Sequence, residues 1–172
     1  MNWRNNFYIL LIFLIINSCK FYSFTGSSIP AGTETFQVNF FENLAGNKPG
    51  SIVEPGLDQE FTIALQDLFL NQTNLSIVNK EGDLIYEGEI VEFSVTPMSA
   101  TAEIKAAQNR LTMEINLRYF NTKNENDDFE KKFSHFYDFP ANQQVYDVRD
   151  VALEEIFERI TQNIFNETLA KW

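Results

Sequence analysis

The chain has 172 residues and is strongly acidic, with 24 Asp and Glu residues against 13 Lys and Arg residues and a formal net charge of −11. This balance argues against nonspecific binding to nucleic acid, which depends on an excess of cations, although it leaves room for a local basic patch. The length indicates one domain, and the single cysteine excludes an internal disulfide, so the 17 phenylalanines are expected to stabilise the core.

The first 19 residues have the pattern of a lipoprotein signal. Arg4 supplies a positive start, residues 7–16 form an apolar run, and Ser18 places a small residue before Cys19, which resembles a bacterial lipobox. The run is much shorter than the roughly 20 apolar residues that span a bilayer, so a transmembrane anchor fits poorly. Ordinary secretion is the main alternative. We expect residues 1–18 to be removed as a signal peptide and Cys19 to be acylated, which would anchor the protein to a membrane.

Residues 19–32 are rich in aromatic, Ser and Gly residues and predict an acylated tether to a single domain over residues 33–172. The domain is predicted to begin with a strand over residues 33–41. In this strand Phe36, Val38 and Phe40 alternate with polar residues, so they are expected to share one buried face. Gly and Pro residues indicate a loop over residues 43–56.

A helix is predicted after this loop. Acids at positions 58 and 60 lie near its positive end, where the helix dipole favours them. Its apolar residues recur at helical spacing and gather on one face: Leu57, Phe61, Ala64, Leu65, Leu68 and Phe69.

The middle of the chain predicts three strands. Residues 75–78 form a short apolar run before a strand over residues 84–96, whose apolar phase changes from even to odd positions and predicts a bulge at Gly88. Residues 111–119 alternate cleanly, and after a polar turn over residues 121–128 the odd positions of residues 129–139 are apolar. These last two strands are expected to form an antiparallel hairpin.

The chain is predicted to end in a helix that Asp147 caps and that runs nearly to Trp172, with Leu153, Ile156 and Ile160 on its apolar side. The resulting order, β-α-β-β-β-α, predicts an α+β fold in which two helices pack on one face of a four-stranded sheet. The β-α-β step implies one parallel pair, so the sheet would be mixed.

The sequence contains no residue pattern that indicates catalysis or metal binding. His135 is the only histidine, whereas nucleophilic catalysis needs partner groups and a metal site normally needs several strong ligands. Adjacent acids such as Glu154 and Glu155 point apart on a helix and are expected to be solvated. We therefore expect no enzyme activity, no metal and no cofactor.

Two cations lie in the segment that joins the second and third long strands. Lys105 and Arg110 would contact phosphates at the tip of this hairpin, where Arg110 is capable of bidentate hydrogen bonding. On the residues alone, the interpretation of both as solvated charges that balance Glu103 and Glu114 is slightly favoured over phosphate contact.

Several short segments follow Cys19 in a set order: FYSFTG (21–26), SIP (28–30), FQVNFF (36–41), LDQEFT (57–62), GDLIYEGEI (82–90), NRLT (109–112) and FNETLAKW (165–172). This ordered set covers the chain after the leader and resembles the lipopolysaccharide-assembly lipoprotein family, LptE. The family's fold is the arrangement of two helices and four strands predicted above.

The resemblance implies a non-enzymatic lipoprotein at the periplasmic face of the outer membrane, where it plugs and assists a β-barrel partner, LptD, that delivers lipopolysaccharide to the cell surface. Lys20, rather than Asp, follows the cysteine, which agrees with outer-membrane sorting. Lys105 and Arg110 are the nearest equivalents of the basic tip residues that contact lipopolysaccharide in the family. An auxiliary or solute-binding lipoprotein of another envelope transporter is the alternative function, and an envelope hydrolase is a distant third.

Overall fold

The computed structural model of the protein describes residues 29–47, 50–98 and 107–170. These residues form two α helices, α1 (Leu57–Gln72) and α2 (Val145–Leu169). They also form six strands: β1 (Thr35–Val38), β2 (Glu42–Asn43), β3 (Ser76–Ile77), β4 (Leu84–Met98), β5 (Gln108–Asn121) and β6 (Phe129–Pro140).

The strands form one mixed sheet in the order β3-β1-β4-β5-β6, and β2 also pairs with β4. β1 is parallel to β3 and β4, β2 is parallel to β4, and β4, β5 and β6 are successively antiparallel. The predicted α+β class, the two helices and the mixed sheet are confirmed. The predicted count of four strands is wrong, because β2 and β3 are two-residue strands that are too short to show a period of two.

The first predicted strand is interrupted before its end. Phe36 pairs with Leu84 and Glu42 pairs with Glu89. Between these two pairs the segment from β1 to β2 contains six steps along the chain, whereas β4 contains five. The extra residue reverses the side-chain alternation. As a result Phe41 is fully buried and Phe40 is 61% exposed, so the predicted burial of Phe40 is wrong.

β4 also changes phase, but not at the predicted glycine. The register with β5 shifts between Ile90 and Glu92, so the predicted bulge at Gly88 is wrong by about three residues. Gly88 serves another purpose, because a Cβ at this position would lie 2.1 Å from the carbonyl oxygen of Asn116 and 3.0 Å from the Phe41 ring. The glycine therefore allows close approach of β5 rather than a change of phase.

The β5–β6 hairpin is confirmed, with Tyr119 paired to Phe129 near the turn and Gln108 paired to Pro140 at the far end. Odd positions of β5 from Leu111 to Tyr119 are buried, whereas even positions carry polar side chains on the open face of the sheet. Alternation thus gives the hairpin one face for the core and one for solvent.

The two helices run parallel to each other. Arg149 of α2 pairs with Glu60 near the start of α1, and Gln162 of α2 accepts a hydrogen bond from Gln72 at the end of α1. α2 begins one turn before the predicted cap: Gln144 is its N-cap residue, and the carboxylate of Asp147 accepts the Gln144 backbone N–H at 3.0 Å. Asp147 therefore completes a capping box from within the helix, and its prediction as the cap itself is wrong.

Both helices pack on the same face of the sheet, as predicted. The Phe69 ring of α1 lies 4.6 Å from the Tyr86 ring of β4 and 5.7 Å from the Phe165 ring of α2. Further along, Phe61 contacts both Phe41 and Phe157 edge to face. A continuous aromatic core thus joins the sheet to the two helices.

Candidate functional site

Two of the three predicted site residues lie outside the described residues. These are Cys19, the predicted lipid attachment site, and Lys105, one of the two predicted phosphate contacts. Arg110 is described, and it lies on the open face of the sheet near the end of the β4–β5 hairpin. Its partner across the pair is Thr96, and the last described pair before residues 99–106 is Met98 with Gln108.

Arg110 forms a bidentate ion pair with Asp138, its partner on β6. Arg110 Nε donates to Asp138 Oδ1 at 2.7 Å and Nη2 donates to Oδ2 at 2.8 Å. Their side chains are 29% and 30% exposed, so the pair is partly shielded from solvent. The hydrogen bonds raise the pKa of Arg110 and hold the pKa of Asp138 below its ordinary value, so both groups are charged at neutral pH.

Phe136 completes this small cluster. The Arg110 guanidinium carbon lies 3.5 Å from the centre of the Phe136 ring, and the ring itself is partly exposed. Stacking and the ion pair hold the guanidinium in one plane. The Arg110 side chain therefore loses less conformational entropy when it binds a ligand. Nη1 has no hydrogen-bond partner among the described residues, so it can donate to an anionic ligand beside the hairpin tip.

The pairing with Asp138 was not foreseen from the sequence. Alternation alone placed Arg110 on the polar face of its strand, but the partner depends on the register between β5 and β6. That register places Arg110 directly opposite Asp138. Arg110 and Asp138 are each nine residues from the pair nearest the turn, Tyr119 with Phe129. The predicted turn over residues 121–128 is offset by one residue from this register and would have placed Arg110 opposite Phe139 instead.

Most other described cations are also paired. Arg118 binds Glu87 and Glu89 on the open sheet face, and Lys132 binds Glu114 there. Elsewhere on the protein, the pairs are Lys123 with Asp83, Lys131 with Glu167, and Arg149 with Glu54, Glu60 and Asp150. Arg110 is therefore distinguished by its position near the hairpin tip and by its close contact with Phe136, not by a free charge. The other described cation over an aromatic ring is Lys131, whose Nζ lies farther away, 5.5 Å from the centre of the Phe133 ring.

His135 is half-buried, and its ring stacks near Phe136 with 5.5 Å between ring centres. Across the described ranges, no group of three His, Cys, Asp or Glu residues is placed to hold a metal ion. Neither helix in the described part of the chain has the length and apolar character needed to cross a membrane.

A family model described as lipopolysaccharide-assembly, LptE, matches residues 33–168, which is most of the chain and nearly all of the described fold. The chain belongs to the LptE family. The resemblance seen in the short sequence segments is therefore confirmed, and the family assigns the protein to lipopolysaccharide assembly, in a family of non-enzymatic lipoproteins.

Solved structures of low sequence identity share the fold. A protein from Xanthomonas campestris has a TM-score of 0.56 and 11% identity, with 83% of this chain and 89% of that chain covered. A hypothetical protein from Chlamydia trachomatis has a TM-score of 0.53 and 8% identity, with 81% and 99% covered. The PelC dodecamer from Paraburkholderia phytofirmans has a TM-score of 0.50 and 7% identity, with 84% and 95% covered. No curated protein matches the chain.

Proposed function

We propose that the protein is an outer-membrane lipoprotein that plugs and assists a β-barrel translocon during lipopolysaccharide assembly at the cell surface. The observation that carries the proposal is the family match over residues 33–168. Residues 1–18 would be a signal peptide, residues 19–32 a tether, and acylated Cys19 the anchor at the periplasmic face. An acidic, polar domain surface suits the polar lumen of a large barrel, which supports the plug role.

Depletion and crosslinking test this role. Depletion of the protein should lower the amount of assembled barrel and of surface lipopolysaccharide together. Photo-crosslinkers at Asp67 on α1 and Glu158 on α2, both exposed, should capture an LptD-like barrel. Recovery of only inner-membrane or soluble partners would contradict the proposal and favour an auxiliary lipoprotein of another envelope transporter.

We also propose that Lys105 and Arg110 contact the phosphates of lipopolysaccharide. The position of Arg110 beside the hairpin tip and its unused Nη1 support this role. Charge-assisted hydrogen bonds contribute about 1.5 to 3 kcal/mol each when desolvated and much less when exposed. Arg110→Glu would place a second carboxylate against Asp138, so the variant that tests the contact is Lys105→Gln with Arg110→Gln.

The double variant should bind lipopolysaccharide more weakly than the parent while remaining folded. A small loss of stability is expected, because Arg110→Gln removes the partly exposed ion pair with Asp138. Asp138→Asn is the matched control, because it removes the competing carboxylate and leaves both cations in place. This control should bind at least as tightly as the parent. If the folded double variant and the parent bind lipopolysaccharide with equal affinity, the proposed contact is contradicted. Lys105 and Arg110 would then be solvated charges that balance nearby acids.

A further inference from the structure

A shallow groove with a volume of about 380 Å³ runs between α1 and α2 on their solvent side. Ala64, Leu153 and Phe157 form its apolar floor, and the last two are almost completely buried. Ile63 stands at the rim and is 46% exposed, although it lies beside this floor. Parallel packing of the helices therefore leaves an open apolar strip between them, wide enough for a side chain of a partner.

The rim of this groove is acidic. Asp67 of α1 and Glu154 of α2 line it, and neither carboxylate has a hydrogen bond or an ion pair with another described residue. Arg149 is the only cation among the described residues that line the groove, and it is already bound by Glu54, Glu60 and Asp150. The groove thus presents negative charge that the protein itself does not neutralise.

The excess of negative charge lies on the helical side of the molecule. α1 contains three acids and no Lys or Arg, and α2 contains six acids and two arginines. On the open sheet face, by contrast, Arg110, Arg118 and Lys132 are each paired with carboxylates. Unneutralised carboxylates around an apolar floor favour a partner that carries positive charge next to an apolar side chain.

The same charge disfavours two other occupants. A second copy of this chain that used the same groove would bring Asp67 and Glu154 against identical acids, and like charges facing each other oppose association. Lipopolysaccharide carries anionic phosphates, which the rim would repel. A protein segment with Lys or Arg residues is the occupant that fits both the floor and the rim.

We propose that the groove between α1 and α2 binds a basic segment of the β-barrel partner, with an apolar side chain on the floor and Lys or Arg side chains against Asp67 and Glu154. This inference rests on the proposed function, since it names the surface through which the barrel is held. It assigns the helical side to the partner and leaves the hairpin tip for lipopolysaccharide.

Charge reversal tests the assignment in the full acylated chain co-expressed with its LptD-like barrel. Asp67→Lys with Glu154→Lys should lower the affinity for the barrel by about tenfold or more, because attraction at the rim becomes repulsion. Glu42→Lys with Glu125→Lys is the matched control: both residues are exposed, the charge change is identical, and they lie in other elements. The control should bind the barrel as the parent does.

Salt and crosslinking give independent readouts. Raising the salt from about 0.1 M to about 1 M shortens the screening length from about 10 Å to about 3 Å, so parental binding should weaken and that of the groove variant should change less. A photo-crosslinker at Ile63 should capture a barrel peptide that contains Lys or Arg. Capture of lipopolysaccharide or of a second copy of this chain would overturn the inference.

The outcomes separate this inference from the proposed function. If the parent retains the barrel and the folded groove variant retains it equally, the groove is not the docking surface, while the proposed function stands. If the parent retains no barrel at all, the proposed function fails and the inference fails with it. Loss of binding in the groove variant alone, with the control intact, supports both.

Discussion

Two tyrosines meet in the core and differ in what their hydroxyl groups contact. Their rings lie 5.2 Å apart, and both residues are almost completely buried. Tyr86 Oη donates to Thr168 Oγ1 at 3.3 Å, whereas Tyr119 Oη has no hydrogen-bond partner within the described ranges. Burial raises the pKa of both hydroxyls above the ordinary value, so both are neutral at physiological pH.

This difference predicts that the change from Tyr to Phe lowers the stability at one position and not at the other. Tyr86→Phe should lower the free energy of unfolding by about 0.5 to 1.5 kcal/mol, because it removes a satisfied hydrogen bond. Tyr119→Phe should cause no loss, because it removes a buried polar group that lacks a partner. Urea unfolding of the two variants beside the parent measures both. An equal loss in the two variants would mean that the Tyr119 hydroxyl has a partner.

Asp83 joins the start of β1 to the turn that follows β5. Its Oδ2 accepts hydrogen bonds from the backbone N–H groups of Glu34 and Thr35 at 2.9 and 3.0 Å and from Thr35 Oγ1 at 3.0 Å. Lys123 Nζ lies 2.9 Å from Oδ1. Lys123, followed by the Glu34 backbone N–H, holds the pKa of Asp83 far below its ordinary value.

The low pKa predicts a pH-dependent contribution to stability. Since the folded pKa lies below the unfolded value of about 3.8, the contribution is complete above that value and is lost as the pH falls toward the folded pKa. Asp83→Asn should therefore cost roughly 1 to 3 kcal/mol at pH 7, and the deficit should shrink below pH 4. Denaturant unfolding at pH 7 and pH 3 checks this, and a constant deficit would contradict it.

At the scale of elements, long periodic segments were predictable and short ones were not. α1, α2 and the β5–β6 hairpin each repeat their apolar spacing several times, so their faces follow from the sequence. β2 and β3 have two residues each, and their hydrogen bonding to β4 and β1 defines them. The same limit applies to Arg110, since the sequence predicts its face but not the register that places Asp138 opposite it.

The predicted faces give a test of packing between elements. Leu65 of α1, Leu117 of β5 and Ile160 of α2 are fully buried, whereas Asp67 on the other side of α1 is exposed. Replacement of each of the three apolar residues by Ala should cost on the order of 2 to 5 kcal/mol, because each change leaves a cavity in the core. Asp67→Ala should remain within about 0.5 kcal/mol of the parent.

Thermal and urea unfolding of the four variants measure this contrast. The three core variants should melt clearly below the parent, and Asp67→Ala should melt with it. Four similar melting temperatures would contradict the assigned faces of α1, β5 and α2.

At the scale of the whole molecule, the sheet side neutralises its cations while the helical side carries excess acid. This separation could not be obtained from the net charge of −11, because it depends on strand register and on the parallel arrangement of α1 and α2. A domain with two such sides can contact a barrel partner through one and a phosphate-bearing lipid near the other.

The proposed function predicts that the protein is attached to the membrane through acylated Cys19. A single acyl chain binds membranes only marginally, whereas several chains give stable anchoring. Loss of the acylation site removes all of these chains, so it should release the protein from the membrane instead of weakening its membrane binding slightly. Cys19→Ala should abolish metabolic fatty-acid labelling and leave an unprocessed or soluble product. The melting temperature of the released domain should match that of the acylated parent, because Cys19 lies outside the matched region, residues 33–168. Normal labelling of Cys19→Ala would contradict the anchor, and membrane fractionation would show whether release follows.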